Sequence, residues 1–290
     1  MTGRERRRRR QGLLLLAPAL TMLGALTAYP GVYVLWLSVQ HRVPVFGIAE
    51  FIGLGHYRFL VEDPRFWSAA RTTGVFTVVS VVLEVVLGVL IALVLRSQHR
   101  GRRIGFSLLL LGWAMPAVVT AKLFEWLYHP AAGLINVVLA HRALNWLGDP
   151  ALALPAVILA DVWRTMPFVA ILAHARLLSI PTELYEAAQV DGAGRLATLR
   201  YVTLPLLRQI VMIAVLFRTL DALRAFDIMY VLTGGGPANA TETLTIYAYR
   251  SLFQMLQLGF GSAIGVIVFA LVMAVAWMYL RLLRREGLAT

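Results

Sequence analysis

Residues 186–205 read EAAQVDGAGRLATLRYVTLP, a polar and mildly amphipathic stretch set between two long apolar runs. Pro181 and Thr182 offer a helix start just ahead of it, and Glu183 and Glu186 then fall in the first turn, where negative charge suits the helix dipole. Gly192 and Gly194 stop that helix. Arg195 to Tyr201 resume as a second short helix, and Pro205 sits where the next apolar run begins, a position at which a missing N–H costs little. The expectation is a helix, a turn and a helix lying at a membrane surface, patterned for a partner on that face.

The flanking runs set the class. The chain is 59% hydrophobic and 14% charged, with a mean hydropathy of +0.74, which excludes an ordinary soluble domain. A helix needs roughly 20 apolar residues to cross a bilayer. Six stretches qualify, at about 12–38, 70–95, 105–128, 151–178, 205–226 and 258–281. The fold class expected is all-α, a polytopic membrane protein with six transmembrane helices. Its plan reads as an Arg-rich tail (1–11), a first transmembrane helix (12–38), an external loop (39–69), a five-helix core (70–285) carrying a cytoplasmic loop at 180–205, and a tail (286–290).

The net charge of +12 does not mark a nucleic-acid protein, because the Arg residues follow the membrane rather than an aromatic groove. Six fall in 1–11, four in 96–103, four in 176–208 and three in 281–285, whereas the opposite connections hold seven, mixed with acids. The positive-inside rule places both termini and the 180–205 loop in the cytoplasm. The Arg tract, Leu13–Leu16 and the Ala17-Pro18-Ala19 triplet imitate a signal peptide, but the apolar run continues to Leu37 and reads as an uncleaved first helix. With no Cys and six scattered His, the sequence offers no disulfide framework and no metal-ligand set.

Several spans carry polar groups. Glu84 with Gly88 and Ala92 gives the second span a mid-membrane carboxylate that must face protein or water, beside small residues that permit close packing. In the fourth span Asp161 and Arg164 share a helix face at i and i+3, and Pro167 permits a kink. Arg218, Asp221, Arg224 and Asp227 read as a polar stripe on the fifth span, serving either as ion pairs or as the lining of a translocation path. Beyond it, Gly234–Gly236 and Pro237 form a flexible external turn; no Gly-Lys-Ser/Thr follows, so the glycines are not a P-loop.

Glu186, Ala187, Ala188, Gly192, Val202, Leu204 and Pro205 resemble the "EAA" loop of the permease subunits of bacterial binding-protein-dependent ABC importers, with Val202 where that family has Ile. Gly133-Leu134-Ile135-Asn136 is similar to the "G-x-x-N" that begins an external helix in sugar-type permeases. FRTLDALRAFDIMYVLTGGGP resembles the MalF-like subunits of carbohydrate importers, and in particular the first permease of actinobacterial trehalose importers. The resemblance spans residues 12–285 and implies a type I ABC importer permease in the bacterial cytoplasmic membrane. It also implies a second, similar permease as heterodimer partner, two cytoplasmic ABC ATPases and an external solute-binding protein, with sugar as substrate and lipid around the chain. No cofactor belongs to the chain itself, ATP and Mg being bound by the ATPase. The coupling residues implied are Glu186, Ala187, Ala188, Asp191, Gly192, Leu204 and Pro205. Matching by distance from the EAA loop puts sugar-contacting positions near Asp161, Thr165, Phe168, Arg218 and Ala222. Asp161, Arg164, Thr165, Phe168 and Asp221 could in addition bond hydroxyls or stack on pyranose faces.

Two other classes compete. A self-sufficient secondary carrier suits six spans with interior charges, but no inverted pair of broken segments is evident. Asp191-Gly192 with Arg195 resembles the start of the CDP-alcohol phosphotransferase signature of an intramembrane lipid-modifying enzyme, yet the later paired aspartates are missing.

Overall fold

The computed structural model describes residues 15–97, 102–139 and 144–285; the Arg-rich tail at 1–11, residues 12–14, Arg100, Arg142 and the tail at 286–290 lie outside them. The chain divides into two compact units, Met1–Asp63 with Tyr247–Ile267, and Pro64–Ile246 with Val268–Thr290.

In the first unit, α1 (Leu15–Ser38) exposes its apolar side chains along most of its length, as a lipid-facing helix must. A π turn at Gly24–Ala28 precedes Pro30, whose ring has no N–H and crowds the carbonyl four residues back. Tyr29, Tyr33 and Trp36 stack in succession, and the Arg42 guanidinium lies 5.8 Å from the Trp36 ring, an interfacial aromatic belt. The segment expected to be a loop, 39–69, is instead mostly regular. Strands β1 (Gln40–Val43) and β2 (Ile48–Phe51) pair antiparallel, with His41 opposite Glu50, and α2 (Gly55–Glu62) follows. Alternation over four residues is too short to distinguish a hairpin from a loop in sequence. Within this unit Phe260 packs edge-on against His56, Phe59 and Tyr247, and the Tyr247 hydroxyl donates to Asp63 at 2.7 Å. Gly259 lies so close to the Gln40 carbonyl that no Cβ fits there.

The second unit begins with α3 (Pro64–Ser97), which starts six residues before the expected span because a helix supplies its own backbone hydrogen bonds on leaving the bilayer. The expected third span is not one helix. It is α4 (Arg102–Ala114) and α5 (Ala117–Leu127), bent by 101° at Pro116, which cannot donate to the ladder and caps the second piece with extended ψ. A short α6 (Leu134–Val138) leads to α7 (Pro150–Leu178), which stays continuous through Pro155 and Pro167. Asp149 caps α7 by accepting from the Ala151 N–H.

Next come α8 (Glu183–Val190), α9 (Arg195–Thr198), a π turn at Leu199–Thr203 and α10 (Leu204–Ala222). Residues 195–222 therefore form one unbroken helical path, where a separate short helix was expected before the span. The wide turn again precedes a proline, Pro205, and absorbs its missing bond. Helix α11 (Asp227–Thr233), α12 (Leu244–Tyr249) and α13 (Leu258–Arg285) complete the chain. Among the described residues five helices are long and apolar enough to span a membrane, and a sixth span exists only if the bent α4–α5 pair is counted as one.

Helices α3 and α7 make the principal packing contact. Gly88 permits it: a Cβ there would lie 2.7 Å from the Val169 Cβ. In lipid, where apolar burial does not drive helix association, such close approach is the source of attraction. One turn further, Ala92 packs with Ala173, Leu177 and Leu207.

The turn at Gly234–Pro237, expected to be flexible, is instead pinned. Gly234 adopts φ +60° and closes α11, and the buried Thr241 hydroxyl lies 2.7 Å from that of Thr233 and 2.8 Å from the Gly236 carbonyl. Just beyond, the buried Glu242 carboxylate accepts two bonds from Arg65, at 2.7 and 2.8 Å. The Thr73 hydroxyl accepts from the Leu244 N–H at 3.0 Å. A similar economy explains the 133–136 motif. Gly133 lies against the backbone of Leu127 and His129, and the buried Asn136 amide bonds the Pro130 and Leu144 carbonyls while accepting from Trp146.

Candidate functional site: a charged cavity and a coupling loop

At its centre, the second unit holds a network of carboxylates and guanidiniums from three helices. Arg218 on α10 donates to both oxygens of Glu84 on α3, at 2.5 and 2.9 Å, to Asp161 on α7 at 3.3 Å, and to Asp221 one turn along α10 at 2.5 Å. Asp161 also accepts from Arg164 at 3.0 Å, as its i, i+3 spacing led one to expect. Thr165 is within 2.7 Å of Glu84. Glu84 is fully buried, and Asp161 is almost so. A buried carboxylate is tolerated only with a cation and further donors on its oxygens, and Arg218 and Thr165 supply both.

Two cavities adjoin this network. One, of about 310 Å³, is walled by Ala117, Asp161, Arg164, Arg218, Asp221 and Ala222, and closed by Arg224–Ile228. The other, of about 220 Å³, is lined by Trp113, Thr165, Phe168 and Phe217 together with Arg164, Arg218, Asp221 and Arg224. Trp113 and Phe168 stack there at 6.2 Å between ring centres. All seven residues expected along the path, Asp161, Arg164, Thr165, Phe168, Arg218, Asp221 and Ala222, thus line one cavity or the other. Buried ionic groups lie at the back, half-exposed ones at the mouth, with an aromatic wall alongside. Such a site can bond sugar hydroxyls and stack on a ring face.

The stripe expected on one helix is not on one helix. Helix α10 ends at Ala222, Arg224 lies in the following turn, and Asp227 opens α11, where its charge faces the positive end of the helix dipole. The turn is what brings Arg224 and Asp227 to the first cavity. Glu84 was expected to face protein or water, and the structure makes it the main partner of Arg218. The need of a mid-membrane acid for a cation was the available signal, but nothing in a sequence says which of several arginines satisfies it.

The coupling loop forms a second candidate site. Helix α8 begins after Thr182, whose hydroxyl makes no cap bond, contrary to expectation; the Thr182 carbonyl accepts from Tyr185 and Glu186 instead. Gly192 adopts φ +77°, a left-handed conformation that favours glycine, and the Ala193 N–H closes the helix end on the Ala188 carbonyl. Of the seven residues expected to couple, Ala188 is buried, whereas Glu186, Ala187, Asp191, Gly192, Leu204 and Pro205 are exposed. Val190, Leu196 and Tyr201 expose large apolar surfaces beside them. Sequence reading missed the device that holds this loop. Arg96, at the end of α3, reaches the Tyr185 hydroxyl, and Tyr185 packs among Ala92, Leu177 and Leu207.

Over residues 84–287 the sequence matches the family described as "Binding-protein-dependent transport system inner membrane component". The chain belongs to that family. It is therefore an inner-membrane, multi-pass permease of an ABC importer, a transport subunit whose ATP hydrolysis is carried out by a separate subunit. It is similar to the trehalose/maltose transport system permease protein MalF of Thermococcus litoralis, 38% identical over 93% of this chain and 92% of that one. The sulfoquinovosyl glycerol permease SmoG of Agrobacterium fabrum is 37% identical over 94% and 90%. The trehalose permease SugA of Mycobacterium tuberculosis is 37% identical over 97% and 91%. In fold, this permease matches a chain of a bacterial ABC transporter that imports the acidic polysaccharide alginate, with a TM-score of 0.85 over 97% of this chain and 98% of that chain at 21% identity. The type I importer permease fold follows.

Proposed function

We propose that this permease moves a di- or oligosaccharide such as trehalose or maltose through the cavities at Asp161, Arg218 and Asp221. The observation that carries the reading is the pairing of an aromatic wall, Trp113 and Phe168, with hydrogen-bonding groups at Arg164, Thr165 and Asp221 around one space. Relatives named for trehalose and maltose support the same substrate class. In this reading the chain pairs with a second, similar permease, and both receive sugar from an external solute-binding protein. Two cytoplasmic ABC ATPases bind ATP and Mg, and the chain itself uses no cofactor. The exposed face of Glu186, Ala187, Asp191 and Gly192 docks on one ATPase, with both termini on the same cytoplasmic side. A rigid helix pushed by ATPase closure then tilts α3 and α10, which Tyr185 and Leu207 join to it, and switches access as a rigid-body movement.

The test is uptake by the reconstituted complex. Proteoliposomes containing both permeases and the ATPase, supplied with binding protein and internal ATP, should accumulate radiolabelled trehalose or maltose, and replacing Asp221 by Asn should abolish accumulation while binding-protein affinity stays unchanged. Accumulation of neither sugar, with active ATPase, would count against the substrate class.

A further inference from the structure

We infer that Glu84 is a specificity-determining positioning residue, which sets the net charge of the sugar cavity from behind and thereby disfavours anionic sugars. This rests on the reading of that cavity as the sugar path. Glu84 lines neither cavity, yet it takes both Nε–H and Nη2–H of Arg218, which lines both. The charges around the larger cavity are Asp161, Asp221 and Asp227 against Arg164, Arg218 and Arg224, and they cancel. Adding Glu84, bonded to Arg218 from α3, leaves four carboxylates against three guanidiniums, a net charge of −1. Each guanidinium then has a carboxylate partner: Arg164 with Asp161, Arg218 with Glu84, and Arg224 with Asp221 at 3.7 Å. None is left with an uncompensated positive charge to balance a uronate or sulfonate, so an anion entering the cavity adds to a charge that is already negative. Hydroxyl groups of a neutral sugar bring no charge, and a paired carboxylate or guanidinium retains lone pairs and N–H groups to bond them. The chain thus carries a cationic side chain in its transport path and no net attraction for anions.

The experiment compares trehalose with its monouronate, in which one hydroxymethyl is a carboxylate, as ligands of the purified permease–ATPase complex without binding protein, so that only the membrane cavity selects. Wild-type complex should bind trehalose more tightly. In Glu84→Gln, which keeps the shape and one acceptor, the trehalose-to-uronate affinity ratio should fall by about tenfold, the effect of one unit charge at roughly 10 Å in an effective dielectric near 20. Glu84→Asp keeps the charge and should discriminate as wild type does. If Glu84→Gln does not assemble, Glu84→Asp and the wild-type preference itself decide the matter: a relaxed ratio in Glu84→Asp, or a wild-type complex that binds the uronate as tightly as trehalose, overturns the inference. An unchanged ratio in assembled Glu84→Gln would likewise overturn it while leaving the sugar path intact. No trehalose binding to wild-type complex would overturn the path reading and the inference with it.

Discussion

Arg96 donates to the Tyr185 hydroxyl at 2.5 Å while its guanidinium carbon lies 4.0 Å from the centre of the same ring, so a single pair of side chains ties the C-terminal end of α3 to helix α8. A hydrogen bond to a charged donor is worth about 1.5–3 kcal/mol. Tyr185→Phe keeps the ring contact and removes only that bond. Sugar-stimulated ATP hydrolysis should fall severalfold with the complex still assembled, and Tyr185→Ala should fall further. Stimulation at the wild-type level in both variants would show that α8 is held by other contacts.

Gly192 stands at φ +77° with open space around its Cα, so a side chain there meets strain and no clash. A β-branched residue forced into that region costs about 1–3 kcal/mol. Gly192→Val should therefore insert and assemble normally but re-aim α8, separating ATP hydrolysis from uptake. Normal uptake together with normal stimulation would remove this turn from the coupling machinery.

Orientation is testable because the chain has no Cys of its own. Gln189→Cys, on exposed α8, should react with an impermeant maleimide only after cells are permeabilised, and Ala238→Cys, exposed beyond the Gly234–Pro237 turn, should react in intact cells. The reverse pattern would invert the topology.

Asp161 and Asp221 should part company. Asp161 is 2% exposed and bonded to two arginines, so Asp161→Asn leaves Arg164 and Arg218 short of a buried partner and should lower stability by about 3–5 kcal/mol, seen as reduced complex yield and thermal midpoint. The Asp221 side chain is 49% exposed, where solvent screens the pair. Asp221→Asn should assemble and lose uptake. Equal stability losses in the two variants would make Asp221 a structural partner instead.

His56 gives the first unit a pH dependence. Burial holds its imidazole below the ordinary value of 6.5; the bond to the Gln40 carbonyl works in the opposite direction, and the nearby His41 adds to the lowering. The folded state thus prefers the neutral ring. Its contribution to stability is fully present above pH 6.5 and is lost as pH falls from there through the lowered folded value, because the unfolded chain takes the proton first. The hydrogen-exchange protection of residues 40–62, corrected for the intrinsic pH dependence of exchange, should fall as pH drops below 6.5, and His56→Gln should flatten that change. A flat wild-type profile would contradict it.

The sequence by itself determined the class and the apolar stretches that meet lipid, because hydropathy records the chain's dealings with the bilayer, which acts on each segment separately. It also contained the helix start, the glycine turn and the proline of the 181–205 segment, which lie within 25 residues of one another, but not the Arg96–Tyr185 contact that holds the segment. Local backbone chemistry was partly legible: Pro116 and Pro205 were visible, but whether each would break a helix or merely widen one turn depended on what packed beside it. Only the tertiary structure decided which charges meet. Glu84 and Arg218 lie 134 residues apart, and three carboxylates from three helices bond to that one guanidinium. Periodicity places each of them on a face of its own helix. Which face meets which is set by close approaches such as Gly88 against Val169, and steric fit between distant segments leaves no pattern in a single sequence.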